Sequence, residues 1–286
     1  MRRTKTFKAN DEGKLFLVGT PIGNLKDISE RALLALHEVD LIYCEDTKTS
    51  IKMLTSFGIK KPLFSLHEHN EISATSTLID KIKTGQSVAY ISDAGNPIVS
   101  DPGNILVREA IKNNINIVTI LGPSAFLHAL ISSGFDASNF TFKGFLAREE
   151  KKREEELIAI KNYKETVIIY EAPHRFQKLI KSIAAIIPER RLCVARELTK
   201  IHEEFLFGTA EELAKVDSET IIGEIVVVIE GSPKAFVLKD ADDEQIAKVY
   251  KLLKEKMSTK DIIDFIVKLN GLKKNHVYQV IENLKK

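Results

Sequence analysis

Carboxylates and imidazoles, the side chains that most often take a proton in catalysis, crowd into a few short stretches of this chain. HEHNE (67–71) holds two histidines and two glutamates, and SDAGNPIVSDPG (92–103) holds two aspartates among prolines and glycines. Glu45 and Asp46 form a further acidic pair. HEHNE could bind a metal, but its spacing matches no common metal site. A substrate contact or a general base is the favoured interpretation, and a hydrogen-bonded structural loop is the alternative.

Three loops rich in glycine and proline each follow an apolar run: GTPIGNLKD (19–27), SDAGNPIVSDPG and GPSA (122–125). Glycine lets a ligand approach the backbone closely, and proline fixes the path of the chain. GTPIGN breaks the G-x-G-x-x-G spacing, and no Gly-Lys-Ser/Thr follows it as in a P-loop. Because ligands of open parallel sheets bind beyond the carboxyl ends of the strands, the loops predict one shared cleft without a phosphate grip.

The elements that hold these loops alternate between strand and helix, which predicts a parallel sheet covered on both faces. Pro102 is expected in the first turn of the fourth helix, with Asp101 either capping that helix or facing substrate. The predicted strands are 15–19, 40–45, 62–66, 87–91 and 116–121. The predicted helices are 28–39, 47–58, 72–85, 103–114 and 124–134.

The second half of the chain has strands that follow one another more directly, so a mixed sheet is expected there. The predicted strands are 166–172, 191–197, 202–208 and 224–231. The charged stretch 149–164 predicts a solvated helix with paired charges. On a strand, His202 and Glu204 share one face, and Arg196 is expected to pair with one of them.

The region after Ser232 has a different composition. SPKAFVLKDADDE predicts a linker, and the remainder predicts helices that resemble a helix-turn-helix, with Ser258 capping one and Gly271 ending it. From 251 to 286 there are nine lysines against four acids. Such a tail is either a docking bundle with a solvated face or an RNA-contacting patch.

The composition of the 286 residues is that of a soluble globular protein, with 44% hydrophobic and 29% charged residues. Cys44 and Cys193 lack motif spacing, so buried, reduced thiols in a cytoplasmic protein are expected. The N-terminus has basic residues but no apolar run after them, so it predicts a mobile arm and not a secretory signal. The net charge of +2 requires any nucleic-acid surface to be a local patch. The basic residues of the arm are Arg2, Arg3, Lys5 and Lys8.

Several motifs together resemble the ribosomal RNA small subunit methyltransferase I family of the tetrapyrrole methylase superfamily. They are VGTPIGNLKDISERAL, YCEDTKTS, HEHNE, ISDAGNPIVSDPG and LGPSAFLHALISSG, followed by YEAPHR (170–175) and ARELTKIHEEFLFGT (196–209). The likeness runs from about Leu15 to Gly231, and the tail resembles the C-terminal module of the family. Lys48 stands where the family usually has arginine, so the charge is kept but the two parallel hydrogen bonds that a guanidinium can donate are lost.

The resemblance implies methyl transfer from S-adenosylmethionine to the ribose 2′-hydroxyl of a cytidine in the decoding centre of 16S rRNA. It implies an α/β fold of two domains, 14–122 and 123–231, with the cofactor cleft between them, and a small helical module at 240–286. It also implies a homodimer and no metal.

The resemblance further implies roles for individual residues. A base must assist the weakly nucleophilic hydroxyl, and it is left unassigned among Glu45, Asp46, His69 and Glu71. Further candidates are Asp93, which is expected chiefly to anchor its loop, and His67, Asp101 and His174. The residues expected at the cofactor are Pro21, Gly95, Asn96, Pro97, Ile98, Ser124, Ala125, Tyr170, Glu171 and Ala172. The residues expected at the RNA are Lys48, His67, Asp101, Arg148, His174, Arg175 and Arg196.

Two other functions remain open at this point. The first is a methylase of the same superfamily that acts on a tetrapyrrole, against which HEHNE, YEAPHR and the lysine-rich tail argue. The second is a non-catalytic RNA-binding or ribosome-assembly factor that kept the fold. Saturable binding of S-adenosylmethionine would exclude the second function.

Overall fold

The computed structural model describes residues 13–217, 223–232, 243–255, 257–270 and 272–284. The chain forms two compact units, which meet in sequence between Gly231 and Ser232. The predicted N-terminal arm, most of the predicted linker and Gly271 lie outside the described residues. No helix within these ranges is long and apolar enough to cross a membrane.

Five parallel strands form the first sheet, in the order β3-β2-β4-β1-β5, which confirms the predicted parallel sheet. Its two faces carry separate buried clusters, because successive residues such as Leu17 and Val18 point to opposite sides of a strand. The strands are β1 Lys14–Val18, β2 Leu41–Cys44, β3 Leu63–Ser65, β4 Val88–Ile91 and β5 Asn116–Ile120. The helices that follow β1 to β4 are α1 Glu30–Glu38, α2 Thr47–Ser56, α3 Glu71–Lys83 and α4 Asn104–Lys112.

The start of α4 differs from the prediction. The helix begins at Asn104, so Pro102 lies before its first turn and Asp101 does not cap it. Gly103 occupies the N-cap position with φ 120°, a dihedral that no helix allows, and this turns the chain before the helix can begin. The cap comes from α3, where Glu71 Oε1 accepts hydrogen bonds from the backbone N–H groups of Gly103 and Ile105 at 2.9 and 2.8 Å.

The second sheet is mixed, as predicted, with the order β6-β7-β10-β8-β9. Only β6 and β7 are parallel, and the remaining pairs are antiparallel. The strands are β6 Phe140–Phe145, β7 Thr166–Glu171, β8 Arg191–Arg196, β9 Glu204–Thr209 and β10 Ile225–Ile229. The helices are α5 Ala125–Ser133, α6 Glu150–Ile160, α7 Pro173–Ile186 and α8 Ala210–Leu213. Both sheets fall within the predicted ranges 14–122 and 123–231, and the domain boundaries themselves stay a prediction.

Two features of this half were not expected from the sequence. The strand β6 was missed because Gly144, with φ 64°, shifts its register against β7 and breaks the alternation of apolar residues. The charged helix α6 is not solvated all round, since Arg153, Leu157 and Ile160 are buried on one face.

The tail forms three helices, α9 Asp243–Leu253, α10 Thr259–Asn270 and α11 Lys274–Asn283. Their apolar faces share a small buried core that includes Ile246, Ile262 and Ile281. Ser258 Oγ accepts from the N–H of Asp261, which confirms the predicted cap of α10. Both cysteines of the chain are buried and free, as expected.

Candidate active site

A cleft of about 400 Å³ opens where the loops of the first sheet face the second sheet. Seven of the residues predicted for the cofactor line it: Gly95, Asn96, Ser124, Ala125, Tyr170, Glu171 and Ala172. The other three, Pro21, Pro97 and Ile98, are not among the lining residues. Pro21 and Pro97 are buried beside the cleft, and Ile98 packs on the core cluster of the first sheet.

The three predicted glycine-proline loops are bound to one another. Thr20 and Gly95 exchange backbone hydrogen bonds of 2.8 and 3.1 Å. Asn96 accepts from the N–H of Gly122 at 2.8 Å and donates to the carbonyls of Gly122 and Pro123. Gly19 and Gly122 touch through their backbones, because a Cβ on Gly19 would collide with the nitrogen of Gly122. The loops therefore form one floor for the cleft.

The loop 92–103 holds its shape with unusual backbone dihedrals. Gly95 and Gly103 have positive φ, and so do Ile98 at 79° and Ser100 at 67°. A β-branched residue rarely adopts this region, and such strain collects at functional sites where the surrounding packing enforces it. The side chain of Ile98 provides that packing on the core cluster.

Two aspartates of this loop, Asp93 and Asp101, line the cleft, and Glu45 lies near both of them. Burial, followed by the charges of Glu45 and Asp93, raises the pKa of Asp101 to about 6. Burial also raises the pKa of Asp93, although its Oδ1 accepts from the N–H of Asp46. The pKa of Glu45 is raised by burial and then by Asp93. The cleft thus keeps a carboxyl group poised near neutral pH.

The remaining candidates for the base have structural partners or lie outside the lining of the cleft. Asp46 caps α2, where its carboxylate accepts from the N–H of Lys48, and this hydrogen bond lowers the pKa of Asp46. Glu71 caps α4 as described above. His69 is exposed, and the ring of His67 lies 6.0 Å from it. His67 is close enough to Glu45 to lower the pKa of that carboxyl group.

The second sheet contributes a wall of the cleft, and one acceptor atom on this wall has no hydrogen-bond partner. The hydroxyl of Tyr170 accepts from the N–H of Phe126, and burial raises the pKa of Tyr170 to about 12. Glu171 is only 3% exposed. Its Oε1 accepts from the N–H of Ala172 and pairs with Nε of Arg175 at 3.1 Å, while its Oε2 has no partner. A donor group of a ligand would complete the hydrogen bonding of Oε2.

The residues predicted for RNA lie in different places. A groove next to the cleft, called the basic groove below, is lined by Phe145 and Ala172, which it shares with the cleft, and by six charged or titratable residues. Lys48 lies on a separate groove with Lys60 and Lys61. Arg196 pairs with Glu204 at 2.6 Å, which confirms the predicted ion pair. The six residues of the basic groove are Arg148, Glu150, Arg153, His174, Arg175 and Lys178.

Phe145 and Glu224 line the cleft but were not predicted to do so. Glu224 precedes β10, whose first residues pair antiparallel with the end of β7, so Ile225 lies opposite Glu171. The proximity of Glu224 to Glu171 depends on the antiparallel pairing of β10 with β7, which the sequence alone does not reveal. In the described ranges, no three His, Cys, Asp or Glu side chains are grouped so that they could hold a metal ion.

Comparison with known proteins places these features in a family. The family model of Tetrapyrrole (Corrin/Porphyrin) Methylases matches residues 14–214. Two solved structures illustrate the similarity in fold. The structure of diphthine synthase has a TM-score of 0.61 and 18% identity, and the match covers 76% of this chain and 90% of that chain. Uroporphyrin-III-C-methyltransferase from Thermus thermophilus has a TM-score of 0.57 and 18% identity over 76% of this chain and 94% of that chain. At such identity these likenesses show the fold alone.

Curated relatives are much more similar in sequence. Ribosomal RNA small subunit methyltransferase I of Haemophilus influenzae is 40% identical over 93% of this chain and 95% of its own length. The protein of the same name from Bacillus subtilis is 41% identical over 86% of this chain and 83% of its own length. The chain therefore belongs to the tetrapyrrole methylases and, within them, to the ribosomal RNA small subunit methyltransferase I family.

Proposed function

We propose that this protein transfers a methyl group from S-adenosylmethionine to the 2′-hydroxyl of a ribose in 16S rRNA, on a cytidine of the decoding centre. The observation that carries the proposal is the convergence of the family's loops on one cleft that contains Asp101 with a pKa of about 6. The small ribosomal subunit is the proposed partner, which places the protein in the cytoplasm.

The residues of the cleft fit the cofactor. Its volume of about 400 Å³ is within the range of small-molecule sites, which is roughly 300–1,000 Å³. Oε2 of Glu171 can accept from a hydroxyl or amino group. The first turn of α5 has no side-chain cap at Ser124, and its N–H groups other than that of Phe126, which donates to Tyr170, suit a carboxylate. S-Adenosylmethionine, when bound, supplies a methyl group on a sulfonium that an oxygen nucleophile can displace.

Asp101 is the proposed base. At neutral pH a carboxyl group with a pKa of about 6 is mostly ionised, and it is still basic enough to assist when a hydroxyl loses its proton. The strained loop fixes Asp101 beside Gly95 and Asn96 in the lining of the cleft. The floor of bound loops positions the reacting groups, which supplies much of the catalysis of an in-line displacement.

The direct test is methyl transfer from labelled S-adenosylmethionine to small subunits that lack the modification, with the labelled nucleotide mapped. We expect label on the ribose of one decoding-centre cytidine. Cofactor binding without RNA labelling would move the substrate toward a tetrapyrrole. The absence of cofactor binding would favour the non-catalytic RNA-binding function.

We further propose that the protein is a homodimer that uses the outer face of α5. Leu127 and Ile131 lie one turn apart on this helix, and Ile131 is 70% exposed. Ile131→Glu is expected to convert the dimer to a monomer in sedimentation, because it places a charge in an apolar interface. Ile158→Glu, at an exposed isoleucine of α6, is the matched control. A wild-type chain that sediments as a monomer would refute this proposal.

A further inference from the structure

The basic groove, with a volume of about 670 Å³, lies beside the cleft and shares Phe145 and Ala172 with it. Four of its residues are arginine or lysine, and Glu150 is the single carboxylate among its lining residues. Its excess of positive charge indicates an anionic ligand. The shared wall requires that ligand to lie next to whatever occupies the cleft.

Arg153 gives the groove a buried cation for which the structure describes no carboxylate partner. The residue is 5% exposed, and its Nη1 donates to the carbonyl of Arg148 at 3.4 Å. Its Nε is buried without a hydrogen bond. Among the described residues, no carboxylate lies within ion-pair distance of Arg153. A buried charge is unfavourable unless it is paired, so an anion in the groove would supply the missing partner.

The start of α7 adds a second source of positive potential. This helix of 14 residues begins at Pro173 and has no side-chain cap at Ala172, so its N-terminal dipole adds positive potential, which the carboxylate of Glu171 beside it offsets in part. Arg175 has a different task. It pairs with Glu171 and donates to the carbonyl of Leu146 at 2.9 Å, and so it holds the loop after β6 against α7.

We propose that the basic groove binds the phosphodiester attached to the ribose that is methylated. This inference rests on the proposed function. The 3′-phosphate of a nucleotide is attached to C3′, the neighbour of C2′, so a ribose whose 2′-hydroxyl is in the cleft must place that phosphate at the edge of the cleft. Arg148, Arg153 and Lys178 line the basic groove and do not line the cleft. Arginine is suited to phosphate because its planar fork can donate two parallel hydrogen bonds.

Single charge removals at the groove test this proposal. Arg148→Gln and Lys178→Gln are each expected to raise KM for small subunits about tenfold, because a charge-assisted hydrogen bond to phosphate is lost. The values of kcat and of Kd for S-adenosylmethionine should stay within about twofold. Lys181→Gln, at an exposed lysine of α7 outside the groove, is the matched control and should leave KM, kcat and Kd unchanged. Effects no larger than those of the control would overturn the proposal, as would a selective loss of cofactor affinity.

A binding assay separates failure of the groove from failure of the proposed function. The probe is a single-stranded RNA oligonucleotide of decoding-centre sequence, and its affinity for the full chain is measured against salt concentration. Lys178→Gln should reduce the slope of log K against log salt by about 0.7, the value for one phosphate contact on a single strand. If the wild type failed to methylate RNA but Lys178→Gln still reduced the slope, the proposed function would be refuted and phosphate binding by the basic groove would be supported.

A thermodynamic cycle that combines a modified RNA linkage with a protein substitution tests which phosphate is bound. The oligonucleotide is made with a neutral methylphosphonate on the 3′ side of the target nucleotide. The wild type should lose about tenfold in affinity, and Arg153→Lys, which keeps the charge but not the fork, should lose less. In Arg148→Gln the neutral linkage should cost less affinity than in the wild type, because part of the interaction that it removes is already lost. Fully additive losses would show that this phosphate binds elsewhere.

Discussion

Asp101→Asn is expected to lower kcat for methyl transfer by about 10²–10⁴-fold, the usual contribution of a general base. Asparagine keeps the shape of the side chain but cannot take the proton of the ribose hydroxyl. The Kd for S-adenosylmethionine should change little, since the substitution leaves the backbone of the loop intact. Single-turnover rates with small subunits measure the effect. Asp80→Asn, at an exposed carboxylate of α3, serves as the control.

The pH dependence of the same variant gives an independent check. Since the base must be ionised, wild-type kcat/KM should fall as pH drops through about 6, the pKa of Asp101 in the free protein, and the variant should lose this inflection. The contribution of Asp101 to folding stability changes with pH in the opposite direction. The folded pKa of about 6 exceeds the ordinary 3.8, so the wild type loses stability as pH rises from about 4 to about 6. Above pH 6 Asp101→Asn should therefore melt at a higher temperature. A variant that kept kcat within tenfold would exclude Asp101 as the base.

Gly95→Leu is expected to weaken the binding of S-adenosylmethionine by at least about 100-fold, or about 2.8 kcal/mol. A Cβ at Gly95 meets only Ile22 and the carbonyl of Pro123, at 3.4 and 3.6 Å, so the chain can accept the side chain there. Since Gly95 lines the cleft, the rest of the leucine would occupy the cofactor volume. Calorimetric titration measures the loss, and circular dichroism should still show cooperative melting.

A matched control separates this effect from backbone strain. Gly95 has φ 78°, where a non-glycine residue costs on the order of 1–3 kcal/mol. Gly58 has φ 71° with no atom within 4 Å of its added Cβ, and it ends α2 outside the lining of the cleft. Gly58→Leu should therefore lose similar stability but retain cofactor affinity. Equal affinities for the two variants would place the cofactor elsewhere.

The sequence was sufficient for the elements whose pattern is local. The strands β2 and β4 are continuous apolar runs. The helix α5 ends at Gly134, which adopts the left-handed conformation, close to the predicted end of that helix. The loops that follow β1, β4 and β5 could be assigned to one edge, because parallel strands place their carboxyl ends together. Four of the cofactor residues predicted from the family's motifs, Gly95, Asn96, Ser124 and Ala125, line the cleft for the same reason.

The features that the sequence did not reveal depend on contacts between distant segments. The carboxylate of Glu71 could not be assigned to the cap of α4, because the two groups meet only when α3 packs beside α4. Arg153 belongs to a run of charges that predicts solvent exposure, and its burial follows from the packing of α6. Asp101 was predicted at the RNA and as one of several candidates for the base, and its raised pKa depends on burial and then on the proximity of Glu45, both of which the fold supplies.

The hydrogen bonds of Asn96 and Glu71 have a consequence for the entropy of ligand binding. They fasten three separate segments to one another within the protein itself, and the backbone bonds between Thr20 and Gly95 add a fourth. Ordering a flexible residue costs about 1–2 kcal/mol, and a loop that became ordered only on binding would subtract that amount from the affinity for each residue fixed. Here folding has already ordered the floor of the cleft, so a ligand that enters it keeps nearly the full free energy of its own contacts.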